Sequence, residues 1–185
     1  REVWHTNSAT LRDDPGPIAI LGTGLTMVDT VLALRGVGYQ GQIVAVSRHG
    51  LLPQVHARGG AEVTAATESA AAELAQVPNR LLTLLRTLRK ESASCVEQGL
   101  SWQAAIDAWR PHLPSLWASL SIRDRRRFFA RLFTIWNVHR HRMAPSVGQV
   151  MADNLHSGRL RILAGYPKIA VESGRNSLTV GNRAG

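Results

Sequence analysis

The apolar pattern near the start of the chain predicts two buried strands joined by a helix. Ile18–Leu21 and residues 43–46 are continuous apolar runs, which are typical of parallel strands covered on both faces. Between them, apolar residues recur at helical spacing from Leu25, and Gly36 and Gly38 are suited to end the helix. The pattern therefore predicts a strand, a glycine turn, a helix and a second strand.

The turn between the first strand and the helix has the pattern of a phosphate-binding loop. Gly22 permits a tight turn, and Gly24 lets the backbone approach a pyrophosphate near the helix N-terminus. Met27 stands where the dinucleotide motif has a third small residue, so we expect a slightly displaced helix. A merely structural turn is the alternative, but the strand and helix context favours a nucleotide site. The predicted contacts are Gly22, Thr23, Gly24, Leu25 and Thr26.

The end of the second strand predicts which dinucleotide binds. Proteins that select NAD usually have Asp or Glu at this point, whereas here Val46 is followed by Ser47, Arg48 and His49. A hydroxyl and a guanidinium are suited to bind an adenosine 2′-phosphate. We therefore predict NADP(H) in preference to NAD(H). The alternative is that Arg48 is one more exposed arginine.

The remaining pattern divides the chain into segments. We predict a linker over residues 1–16 and the first part of an NAD(P)-binding domain over residues 17–60. Residues 61–158 have the periodicity of consecutive helices, and three strands within residues 159–185 return to the same domain. The predicted fold class is α/β, a Rossmann-like dinucleotide-binding fold interrupted by an all-helical insertion, with the sheet resuming near the C-terminus.

Five basic side chains are candidates for a cofactor or substrate pocket. They are His56, His139, Arg140, His141 and Arg142. His56 follows the second strand near the expected ligand end of the sheet, but an ordinary surface histidine fits equally well. The other four concentrate charge at a predicted helix end, where a pocket facing another domain and a solvated surface both remain open. His139 and His141 do not share a helical face, so they are poor joint metal ligands.

Composition narrows the class of protein. The single cysteine, Cys95, excludes an internal disulfide framework and any CxxC site, and its helical context predicts a buried structural thiol. No apolar run is long enough to span a bilayer, and we expect no signal peptide and a cytoplasmic location in a bacterium. The formal charge of +9 comes almost entirely from arginine, without a recognisable nucleic-acid module. The chain begins without methionine and ends after a predicted strand, so we expect it to be part of a longer polypeptide.

Three segments together resemble a bacterial family of FAD/NAD(P)-binding flavoproteins. They are LGTGLTMVD, VSRHGLLPQVH and WNVHRHRMAP, in this order. Members of that family are similar to oxidoreductases with two dinucleotide domains, and this chain resembles the middle, NAD(P)-binding portion. The resemblance implies that Gly22 and Gly24 belong to the nicotinamide-nucleotide site. It also implies that FAD is held by a missing domain of the same polypeptide and not by this chain alone.

These observations predict the NAD(P)H-binding portion of an FAD-dependent oxidoreductase. It would present nicotinamide for hydride transfer to a flavin, with an unassigned small-molecule substrate and unassigned catalytic residues. One alternative is a module that senses a dinucleotide without turnover. The other is a basic nucleic-acid-binding protein, which the sequence favours less.

Overall fold

Strands lie towards the two ends of the described chain, and helices occupy its middle. The computed structural model describes residues 16–57, 74, 80–172 and 175–181. The strands are β1 (Ile18–Leu21), β2 (Ile43–Ser47), β3 (Leu160–Ala164), β4 (Tyr166–Glu172) and β5 (Arg175–Gly181). The α-helices are α1 (Leu25–Gly36), α2 (Leu81–Glu97), α3 (Gln103–Trp109), α4 (Leu113–Ser119), α5 (Ile122–Arg131), α6 (Phe133–Arg140) and α7 (Pro145–His156), and a 3-10 helix, Arg110–His112, separates α3 from α4.

The chain divides into two structural units. The α/β unit comprises Arg1–Val55 and His141–Gly185, and the helical unit comprises His56–Arg140 and contains α2 to α6. The sequence pattern assigned residues up to 158 to the helical segment, whereas α7 belongs to the α/β unit. The reason is that Met151 of α7 is buried in the core of that unit.

A small parallel sheet organises the α/β unit. Its strand order is β1-β2-β3, with Ile18 opposite Ile43 and Ile43 opposite Leu160. Each parallel neighbour requires a crossover connection, and α1 forms the crossover between β1 and β2. The predicted α/β class with a parallel sheet is confirmed for the described residues.

Only β3 returns to the parallel sheet, whereas the sequence pattern predicted three returning strands. Strands β4 and β5 form a separate antiparallel pair, with Tyr166 opposite Gly181. A single residue, Gly165, separates β3 from β4. Because a parallel neighbour needs a crossover of about a dozen residues or more, these short connections cannot add further parallel strands.

The core of the α/β unit is formed by α1, α7 and the sheet. Its buried apolar side chains include Met27, Val28, Val31, Leu34, Ile43, Ala45, Met151 and Leu160. Burial of each large aliphatic side chain contributes roughly 1.5–3 kcal/mol. The second apolar run is buried as predicted, with Ile43, Ala45 and Val46 in β2, whereas Ala19 and Leu21 of β1 are exposed, so the prediction that β1 is covered on both faces is wrong.

Arg35 joins four segments of the α/β unit. Its Nε donates a hydrogen bond to Asn154 Oδ1 in α7 at 2.7 Å, and its Nη2 donates to the Arg159 carbonyl before β3 at 3.1 Å. Its Nη1 donates to the carbonyls of Tyr39 and Gly41 at 2.6 and 3.1 Å. Burial, followed by the charge of Arg159, lowers the pKa of the Arg35 guanidinium, while Tyr39 opposes the shift. One side chain thus fixes the end of α1, the loop before β2, α7 and the start of β3.

A side-chain cap fixes the start of α5. Ser121 Oγ accepts a hydrogen bond from the Asp124 N–H at 3.1 Å. Residues 122–140 form two helices, α5 and α6, which are divided at Leu132. Cys95 is buried in α2, and that burial raises the pKa of its thiol, which favours the inert structural role predicted for it. None of the helices among the described residues has the length and apolar character needed to cross a membrane.

We predict that Arg35→Lys weakens the α/β unit. A lysine ammonium cannot reach the four carbonyl and amide acceptors that the planar guanidinium contacts together. Hydrogen bonds to charged groups contribute roughly 1.5–3 kcal/mol each, so we expect a loss of at least about 2 kcal/mol. Amide hydrogen exchange of β2 measures this loss as a lower free energy of opening.

Arg161→Lys is the matched control, because Arg161 lies exposed on β3. Equal protection of β2 in the two variants would contradict the role assigned to Arg35.

Candidate functional site

The carboxyl ends of the three parallel strands meet at one edge of the sheet. Strand β1 leads into Gly22, β2 into Arg48 and β3 into Gly165. Two further hydrogen bonds tie these ends together. The Gly22 N–H donates to the Val46 carbonyl at 2.7 Å, and the Gly165 N–H donates to the Ser47 carbonyl at 2.9 Å. In open α/β sheets, ligands bind outside this carboxyl edge.

The glycine turn leaves its backbone accessible. Gly22 has φ +103°, a conformation that favours glycine, and Gly24 is the N-cap residue of α1. A Cβ atom built on either residue meets no atom within 4 Å among the described residues. Met27, in contrast, points into the core and is 2% exposed. Another molecule therefore has room to approach the backbone at both glycines.

The N-terminus of α1 offers hydrogen-bond donors in the same place. The Gly24 carbonyl accepts bonds from the N–H groups of Met27 and Val28 at 3.0 and 3.2 Å. The N–H groups of Leu25 and Thr26 precede these first intrahelical bonds and so have no acceptor within the helix. No side chain caps this end, and its first turn contains no acidic residue. The arrangement favours an anionic group beside the turn.

Thr23 holds the turn through a buried hydroxyl contact. Its Oγ1 donates to the Leu51 carbonyl at 2.6 Å and lies 2.8 Å from Ser47 Oγ. Since the single Thr23 proton goes to Leu51, Ser47 must donate to Thr23 Oγ1. Ser47 Oγ also accepts a hydrogen bond from the Gly50 N–H at 3.1 Å. The Ser47 hydroxyl was predicted to donate a hydrogen bond to a 2′-phosphate. In this geometry it donates to Thr23 Oγ1 instead, and so joins the end of β2 to the glycine turn.

Arg48 and His49 directly follow the carboxyl end of β2. Both side chains are exposed, and no described residue accepts a hydrogen bond from Arg48 or forms an ion pair with it. The absence of a carboxylate partner leaves the Arg48 guanidinium able to meet an anion. Of the three residues predicted after β2, Arg48 is the one best suited to contact a phosphate.

The five basic pocket candidates are divided between the two structural units. His56, His139 and Arg140 belong to the helical unit, whereas His141 and Arg142 belong to the α/β unit. His139 packs edge-to-face with Trp102 at 5.2 Å between ring centroids, and its Nδ1 lies 2.7 Å from the Ile135 carbonyl. His56 and His141 are exposed, while Arg142 is 6% exposed. One interpretation of residues 139–142 was a solvated helix end. That interpretation is wrong for Arg142, because its side chain is buried.

The second and third of the sequence segments that carried the family resemblance also meet in the α/β unit. Val55 forms a parallel bridge with Met143, and the Met143 N–H donates to the Gln54 carbonyl at 2.8 Å. A Cβ atom at Gly148 would lie 2.5 Å from Val55 Cγ2, so any larger residue in α7 would require the Val55 side chain to shift. The contact anchors the same loop whose Leu51 carbonyl holds Thr23. Sequence reasoning missed it, although a glycine inside a helix is a signal of close packing.

Comparisons with known proteins assign no family to this site. No protein-family model, curated protein or solved structure matches the chain. Within the part of the chain that the structure describes, no group of three or more His, Cys, Asp or Glu residues is placed to hold a metal ion. The flavoprotein resemblance stays a prediction from the three segments that suggested it.

Proposed function

We propose that the carboxyl edge of the parallel sheet binds a nicotinamide dinucleotide through its phosphates. The observation that carries the proposal is the open glycine turn between β1 and the uncapped N-terminus of α1. An anionic pyrophosphate beside Gly24 would accept hydrogen bonds from the first N–H groups of α1 and would be stabilised by the helix dipole. This half of the fold would then be Rossmann-like, and its strand order β1-β2-β3 is compatible with the 3-2-1 half of that arrangement.

The contacts beneath the turn support binding without a large rearrangement. Thr23 and Ser47 hold the turn against the loop at Leu51 by hydrogen bonds that do not require a ligand. A turn that is already in its binding conformation loses less conformational entropy when the phosphate arrives. Thr23 and Ser47 therefore position the backbone donors, while Gly22 and Gly24 leave space for the phosphate.

The residue after β2 favours NADP(H) over NAD(H). The adenosine ribose of a dinucleotide bound in this way lies near the end of the second strand. Arg48 is exposed there, and its guanidinium can bind a 2′-phosphate through two hydrogen bonds. No carboxylate follows β2 directly to accept hydrogen bonds from an unphosphorylated ribose.

In the whole polypeptide this portion would serve an FAD-dependent oxidoreductase. The bound nicotinamide supplies the hydride chemistry, and the residues of this chain bind the dinucleotide and fix its orientation. The assignment of flavin to another domain of the same polypeptide rests on the three sequence segments that resemble flavoproteins. The cytoplasm of a bacterium is the proposed location, and a small molecule of undefined class is the proposed substrate.

We predict that Gly24→Val weakens NADPH binding at least about tenfold. The added side chain would occupy the open space beside the turn, where the pyrophosphate must approach the backbone. Because a Cβ atom there meets no described atom, the variant should fold. Calorimetric titration with NADPH measures the affinity, and far-UV circular dichroism checks the fold.

Gly36→Val is the matched control at the other end of α1, where an added Cβ atom also meets nothing within 4 Å. Unchanged affinity in a folded Gly24→Val protein would show that the turn does not bind the pyrophosphate.

We predict that Arg48→Ala changes coenzyme preference. Loss of a charge-assisted hydrogen bond of roughly 1.5–3 kcal/mol should weaken NADPH binding about tenfold to a hundredfold. NADH binding should hardly change, because its 2′-hydroxyl carries no charge. Arg161→Ala removes the same charge from exposed β3 and should leave the preference intact. Tighter binding of NADH by the unaltered protein, or equal losses for both coenzymes in Arg48→Ala, would exclude this role for Arg48.

A further inference from the structure

An apolar cavity of about 240 Å³, partly open to solvent, lies in the helical unit. Each of the helices α2 to α6 contributes to its wall. Representative lining side chains are Leu85 of α2, Trp109 of α3, Trp117 of α4, Phe128 of α5 and Trp136 of α6. Since soluble proteins rarely expose a large contiguous apolar surface, a partly open apolar cavity of this size calls for a physical explanation.

The aromatic side chains that line the cavity also contact one another and a neighbouring arginine. Trp117 packs edge-to-face with Phe128 at 5.5 Å between ring centroids. The Arg125 guanidinium lies 5.6 Å from the Trp117 ring centre and donates to the Ala118 carbonyl at 2.6 Å. These contacts fix the orientation of the rings, so the cavity is built by ordered side chains.

The polar atom of one lining residue is already used. Trp109 is 3% exposed, and its indole Nε1 donates a hydrogen bond to Glu91 Oε2 in α2. That bond satisfies the indole N–H and leaves the ring as an apolar surface. The other residues that line the cavity are leucine, phenylalanine or tryptophan. A buried water needs two to four polar partners, which this wall is poorly suited to supply.

We propose that this cavity is a binding site for a small uncharged aromatic molecule. A leucine- and phenylalanine-lined cavity of about 150 Å³ in another protein stays dry and binds benzene. A volume of about 240 Å³ therefore has room for a two-ring aromatic or a benzene ring with a short alkyl chain. The flat indole and phenyl walls match the faces and edges of such a ring system. The volume suits one small molecule, whereas a partner helix would need a longer groove.

Naphthalene, titrated into the 185-residue chain, is the probe that tests the proposal. We expect saturable shifts in the indole N–H resonances of Trp109, Trp117 and Trp136, which line the cavity. Trp102 belongs to the same unit but packs on His139 away from the lining, so its resonance should not move. Absence of a saturable shift in the three lining indoles would overturn the proposal. A cavity that is filled by side chains of the protein itself would give this negative result.

Naphthalene-2-sulfonate separates the cavity from the basic surface of α5. The apolar wall cannot solvate the sulfonate charge, so we expect naphthalene-2-sulfonate to bind no more tightly than naphthalene. An exposed surface bearing Arg126, Arg127 and Phe129 would instead favour the anion. Tighter binding of the sulfonate would therefore contradict a site in the apolar cavity.

A pair of substitutions in α2 tests the position of the site. Leu85→Trp adds volume inside the cavity and should weaken naphthalene binding at least tenfold, whereas Leu82→Trp, at a side chain that is 59% exposed, should leave it unchanged. If Leu85→Trp does not fold, Leu88→Phe provides a smaller filling substitution in the same wall. Unchanged binding in a folded filling variant would place the probe elsewhere. NADPH affinity, measured in parallel, should be the same in both α2 variants, so this proposal and the dinucleotide proposal can fail separately.

Discussion

The parallel pairing of β2 with β1 and β3 is the constraint on which the α/β unit depends. β2 is the central strand, and Ile43, Ala45 and Val46 are almost completely buried. Its partner β3 follows only after the whole helical unit, so the pairing must offset the entropy of closing a long connection. The entropy cost of closing the connection grows only slowly with its length. Burial of β2 and of Met151 in α7 therefore explains how the α/β unit tolerates the helical unit between β2 and β3. Arg35 fixes the same closure at the amino ends of β2 and β3.

The candidate site depends on this pairing at the opposite edge of the sheet. The β1–β2 register places the glycine turn beside the end of β2, where Thr23 and Ser47 hydrogen-bond. The Thr23 hydroxyl also reaches the Leu51 carbonyl. The loop containing Leu51 is in turn fixed by the Val55–Met143 bridge. The turn is thus supported by residues from both sequence segments of the α/β unit, which explains how a short glycine loop can keep one conformation.

The local features of the fold were predictable from the sequence. Strand β1, the turn, α1 and β2 are consecutive, and their apolar spacing indicated the order and type of each element, although not the exposure of Ala19 and Leu21 in β1. The short connections after β3 and β4 were a signal against further parallel strands, but strand patterns alone do not specify which strands pair. The same limit applies to α7, whose periodicity indicated a helix but not the core that it joins. The division at Leu132 has no signal that we can identify, since no glycine or proline interrupts the helical pattern there.

The sequence indicated where the glycine turn lies but not every contact around it. Gly22 and Gly24 could be placed between a strand and a helix because glycine has a particular value in such a turn. The contact of Ser47 with Thr23 could not be predicted, since a serine at a strand end gives no indication of which group its hydroxyl contacts. Arg142 illustrates the same difficulty, because an arginine in a charged run is usually solvated but here is buried.

The most direct test of the dinucleotide proposal is to locate the bound coenzyme on the backbone. Titration of the isotope-labelled chain with NADPH, followed by amide resonances, locates the contact residue by residue. We expect saturable shifts at Gly22, Gly24 and Leu25 and at Arg48, because in the proposed complex these groups would contact the pyrophosphate and the 2′-phosphate. NADPH that does not bind, or that binds with shifts confined to residues away from this edge of the sheet, would contradict a phosphate site at the glycine turn.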